Sequence, residues 1–105
     1  MEENKEEKRI IQVGDVLSLD LVEIGTVGTI EKVNGEGRLR RRLFDMGLTP
    51  GAELFLRKRA PLGDPLEITL RGYELTLRKS EAADVLIKVT DLSQVAGSEE
   101  TSEEN

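Results

Sequence analysis

The chain has 105 residues, no Cys and no His, and a formal charge of −6. That length leaves room for one small domain. Without Cys or His there are no disulfides, no thiolate or imidazole metal ligands and none of the usual nucleophile–base constellations, which leaves only oxygen-donor metal sites open, and no enzymatic activity and no cofactor are expected.

The charge is unevenly placed. Residues 1–9 hold four acids and three bases, residues 91–105 hold five acids and no base, and residues 10–90 hold twelve of each. Three regions follow: a disordered charged lead over 1–9, a globular domain over 10–90 and a disordered acidic tail over 91–105. No apolar run approaches the roughly 18 residues of a membrane span. The charged lead lacks the apolar stretch of a secretory signal, so a cytoplasmic protein is expected.

From Ile10 to Gly25 the pattern is mixed. Gly14-Asp15 suggests a turn, and Ser18 precedes a short helical turn as its cap. Thr26 to Val33, rich in β-branched residues, reads as a strand. Its inward parity conflicts, because Val27 and Val33 share one face and Ile30 takes the other; a bulge near Gly28 would reconcile them. Asn34-Gly35 marks a turn. Leu39, Leu43 and Met46 then recur at helical spacing, with Gly47 where a left-handed C-cap is expected. Thr49-Pro50-Gly51 fits a tight turn.

Glu53 to Ala60 is the next strand, ended by the two prolines of Pro61–Pro65. Leu66, Ile68 and Leu70 alternate with polar residues, as do Tyr73, Leu75 and Leu77. With Arg71-Gly72 as a two-residue hairpin loop, Leu70 pairs with Tyr73, Ile68 with Leu75 and Leu66 with Leu77. Ser80 to Asp84 reads as one helical turn capped by Ser80, and Val85 to Val89 as a closing strand. The fold class is mainly β: a small barrel of five or six short strands with one inserted amphipathic helix and a second helical turn.

The runs RRLFDMGLTPGAEL and RKRAPLGDPLEITLRGYELTLRKSEAADVLIKV, in this order, resemble the FeoA family of accessory proteins in bacterial ferrous-iron transport. The resemblance covers roughly Gly25 to Val89. It implies an SH3-like β-barrel and a non-catalytic role beside FeoB, the membrane iron transporter with a cytoplasmic GTP-binding region. The chain would then reach the membrane only through that partner. An alternative is an SH3-like regulatory module acting on an iron-dependent transcriptional regulator or on nucleic acid.

Two groups of residues are candidates for partner contact. Arg38, Arg40, Arg41 and Arg42 suit an acidic partner face or a nucleotide-bound GTPase surface, since guanidinium forks bind carboxylates and phosphates bidentately; a solvated helix face is the plainer reading. Phe44 lies beside the apolar stripe, where core packing competes with a role as partner anchor. Pro61, Leu62, Gly63, Asp64 and Pro65 form either a rigid recognition loop or a stiff connector. Aromatic residues do not interleave with the basic ones, so no nucleic acid is expected as partner. The carboxylates have no calcium-loop spacing, and no metal site is expected.

Overall fold

The computed structural model describes residues 10–96. Six strands form the fold: β1 (Val16–Ser18), β2 (Val27–Val33), β3 (Glu53–Arg59), β4 (Leu66–Leu70), β5 (Tyr73–Leu77) and β6 (Val85–Asp91). Helix α1 (Gly37–Asp45) is inserted between β2 and β3, and the short helix α2 (Lys79–Ala82) between β5 and β6. The domain is mainly β, with the expected amphipathic helix and second helical turn.

All ladders are antiparallel, in the order β1-β6-β2-β3-β4-β5. Among the described residues no ladder joins β1 to β5. The two ends of the sheet are tied instead by α2, which packs on a 3-10 turn over Leu19–Leu21. Lys79 Nζ lies 3.7 Å from Asp20 Oδ2 across that junction. Arg59 strengthens it from β3, donating from Nη2 to the carbonyl oxygens of Asp20 (3.0 Å) and Val22 (2.8 Å).

The β4–β5 hairpin has the expected register, with Leu66 opposite Leu77, Ile68 opposite Leu75 and Leu70 opposite Tyr73. Arg71 and Gly72 both have positive φ, 51° and 87°. That is the primed turn whose twist matches the flanking strands. In β2 the ladder to β6 is irregular between Val27 and Gly28, as expected, and again between Ile30 and Lys32. The second irregularity is the one that turns both Ile30 and Val33 inward, where both are buried.

Two local readings are corrected. Residues 16–18, read as part of a mixed segment, are a strand, and Ser18 makes no capping bond; its hydroxyl donates to the Asp20 carboxylate. Helix α2 starts at Lys79, so Ser80 lies inside it rather than at its cap. Past Thr90, β6 continues to Asp91, and Leu92 packs back against the core. The charged lead over 1–9 and most of the acidic tail lie outside the described residues. Among the described residues no helix is long and apolar enough to cross a membrane.

One core serves the domain. Leu54, Leu56, Leu66, Ile68, Leu70, Leu77, Val85 and Ile87 come from the sheet, Leu19 from the 3-10 turn, and Leu43 and Leu48 from α1 and its exit. At about 25 cal/mol per Å² of apolar surface removed from water, such residues are the main stabilising term in a chain with no disulfide.

Candidate functional site

Helix α1 is placed by its apolar stripe. Leu43 is fully buried, and Leu39 and Met46 pack against the core. The helix ends in a Schellman motif. Leu48 N–H donates to the Leu43 carbonyl (3.0 Å) and Gly47 N–H to that of Phe44 (2.9 Å), with Gly47 at φ 101°. Carbonyls of the last turn, which have no partner further along the helix, are thereby satisfied, the Leu43 carbonyl also accepting the Met46 N–H at 3.1 Å. Tyr73 fixes the same exit from β5, its hydroxyl donating to the Met46 carbonyl at 2.7 Å. The chain then turns at Thr49–Ala52, where Ala52 N–H donates to the Thr49 carbonyl at 3.0 Å.

With the stripe fixed, the four arginines of α1 have separate surroundings. Arg40 Nε donates to the Val33 carbonyl (3.2 Å), and its guanidinium carbon sits 4.9 Å from the centre of the Phe44 ring. Phe44 is half-buried against the core beneath it, so its ring is largely occupied within the chain. Arg42 Nη1 is paired with Glu81 Oε2 on α2. Arg38 and Arg41 are exposed and make no hydrogen bond or ion pair among the described residues. The cluster is therefore not one uniform face: two of its members are anchored and two project freely.

The Pro61–Pro65 loop is held at its base. Ala60 N–H donates to the Pro65 carbonyl (3.0 Å) and Gly63 N–H to that of Ala60 (2.7 Å). Asp64 Oδ1 accepts the Lys79 N–H at 2.9 Å, serving one of the free donors of the first turn of α2. These bonds leave Leu62 at the tip 93 % exposed, the most exposed large apolar residue among those described.

Glu81 joins the two groups. Its Oε1 accepts the Arg78 N–H at 2.9 Å, while its Oε2 receives Arg42. Burial pushes the Glu81 carboxyl up, but the Arg78 N–H, the Arg42 hydrogen bond and the two guanidinium charges together outweigh it. The group is held below the usual carboxylate range and stays ionised. An open groove of about 530 Å³ results, lined by Arg42, Asp64, Pro65, Thr76, Arg78 and Glu81. The structure thus brings Arg42 together with Asp64 and Pro65. Arg40, Arg41 and Phe44 line a separate depression with Gly37 and Asp45.

Sequence reasoning missed Arg78, Thr76 and Glu81. The available signal was the placement of Glu81 three residues after Arg78, at the position from which a glutamate reaches back to the start of a helix. No group of three or more acidic side chains among the described residues is arranged to hold a metal ion.

Residues 17–89 match the FeoA domain family. The chain belongs to that family. Among curated proteins, the Fe(2+) transport protein A/Fe(2+) transporter FeoB fusion protein of Porphyromonas gingivalis is 29% identical over 73 residues, 70% of this chain. That stretch is 9% of the fusion protein, so the chain spans less than a tenth of the relative's length. The solved structure of an FeoA-like protein from Clostridium acetobutylicum is 40% identical, with a TM-score of 0.66, covering 75% of this chain and 90% of that one. The zinc complex of Stenotrophomonas maltophilia FeoA, described as an SH3 domain protein, is 26% identical with a TM-score of 0.61, covering 74% and 93%. A manganese-dependent transcriptional repressor gives a TM-score of 0.66 at 14% identity, covering 70% of this chain and 36% of the repressor. That likeness is one of fold alone.

Proposed function

We propose that this FeoA-family chain is a non-catalytic accessory or regulatory protein of ferrous-iron uptake that acts in the cytoplasm by docking on the cytoplasmic region of a FeoB-type transporter. The observation that carries this reading is the relative in which a matching segment and a FeoB transporter are one polypeptide. Covalent joining fixes two partners at a high effective concentration, which is useful when they work in contact. The chemistry of the chain supports it: His and Cys are absent, no acidic cluster suits a metal among the described residues, and the exposed features are suited to contact.

The test is co-elution. The full chain, mixed with its transporter in nanodiscs at moderate salt, is expected to run with the nanodisc peak and to be absent from the peak of empty nanodiscs. A chain that elutes alone, with and without guanine nucleotide, would defeat the reading.

A further inference from the structure

The geometry points to the groove between α1 and the Pro61–Pro65 loop as the docking site, and to an acidic segment of the transporter bearing an apolar contact for Leu62 as its occupant. This inference rests on the docking reading above and adds to it a surface and a partner chemistry.

Donors and acceptors in the groove are unequally committed. The groove holds two guanidiniums, Arg42 and Arg78, and two carboxylates, Asp64 and Glu81. Their formal charges cancel, but their hydrogen-bonding capacity does not. Glu81 is almost enclosed and already receives Arg42 and the Arg78 N–H, and Asp64 receives the Lys79 N–H. Each guanidinium carries five N–H donors. Arg42 uses one of them in its pair with Glu81, with its side chain 55% exposed, and the Arg78 guanidinium makes no hydrogen bond or ion pair among the described residues. The groove therefore has donors in surplus. A group rich in acceptors complements it, and a carboxylate matches the planar fork of arginine best.

Leu62 is displayed in an unusual way. Single exposed leucines are ordinary. This one sits on a loop closed by two main-chain bonds and fixed to α2 by Asp64, two residues from the lining of the groove. Little conformational freedom is left to lose on association, which is the condition under which one apolar anchor contributes most. A rigid apolar tip two residues from the lining of a groove with unused guanidinium donors fits a segment that offers carboxylates next to an apolar pocket or side chain.

The groove also separates the arginines. Arg41 lies about half a turn of the helix wheel from the Leu39/Leu43/Met46 stripe and outside the groove. It serves as a control of the same charge on the same helix.

Calorimetric titration of the full chain into the transporter in nanodiscs tests the inference. Leu62→Asp and Arg78→Glu are each expected to weaken binding by about tenfold or more, whereas Arg41→Glu stays within about twofold. Leu62→Asp keeps the test decisive if Arg78→Glu shifts the melting temperature, because Leu62 contributes nothing to the core. Wild-type affinity in both groove variants would overturn the groove while leaving docking intact. Equal weakening by Arg41→Glu would overturn it too. Absence of binding by the wild type would instead fail the docking reading. A mixed-sequence DNA duplex that binds the wild type and is released by Arg78→Glu would assign the groove to nucleic acid and overturn the acidic-segment inference.

Discussion

Helix α1 and the Pro61–Pro65 loop stand on either side of one groove and are held in opposite ways. The helix is fixed by what it buries: Leu43 is fully enclosed, and its end is closed by Gly47 and the Tyr73 hydroxyl. The loop is fixed by hydrogen bonds at its base and displays its one large apolar residue. A conspicuous sequence motif can thus contain both kinds of residue. Leu43, Met46, Gly47, Pro50 and Gly51 shape the fold, whereas Leu62 and the guanidiniums of the groove are left for a partner.

The contrast predicts a graded set of losses. Leu43→Ala removes the plug of the helix and is expected to cost about 2–5 kcal/mol in urea unfolding. A loss below 1 kcal/mol would mean that α1 is not packed as described. Gly47→Ala puts a side chain at φ 101°, where its Cβ would meet the Tyr73 hydroxyl at 2.5 Å. About 1–3 kcal/mol of destabilisation is expected, and Tyr73→Phe in the same chain should recover little, since the positive φ persists.

Glu81→Gln probes the bridge between the two regions and should have a smaller effect. Its carboxyl lies below the ordinary value of 4.5 when folded, so its contribution is present above that value and is lost as pH falls through the folded value. Arg42 is half exposed and the pair is screened, so about 1 kcal/mol is expected at neutral pH. The gap between wild type and variant should close below pH 4.5. A gap that persists or widens on acidification would show that Glu81 is not charged in the folded protein. Leu62→Ser should be the smallest of all, within about 0.5 kcal/mol of wild type by thermal melting.

Much of the fold is legible along the chain because it rests on local rules. The β4–β5 hairpin follows from strict alternation around Arg71-Gly72, and the exit of α1 from a glycine where only positive φ serves. Strand β1 is hidden because it is three residues long and leaves Val16 exposed, so no alternation develops. The start of α2 is hidden for another reason: the N–H of its first residue, Lys79, is served by Asp64, fifteen positions away.

The site is less legible than the fold. Four arginines in one run read alike, and the contacts that separate the anchored from the free are that of Arg42 with Glu81, 39 positions away, and those of Arg40 with the Val33 carbonyl and the neighbouring Phe44 ring. Arg78 is marked along the chain only by Glu81 three residues on, which reaches back to its N–H. Its place beside Arg42 depends on the β5–α2 junction, which no local pattern encodes.

The most direct measurement is amide and side-chain NMR of the isotopically labelled full chain during addition of the transporter in nanodiscs. Signals of Leu62, Asp64, Thr76 and the Arg42 and Arg78 guanidiniums are expected to shift or broaden first, while those of Val16–Ser18 and Arg41 hold their positions. Perturbation confined to Arg41 and β1, with the groove silent at saturation, would contradict docking at the groove.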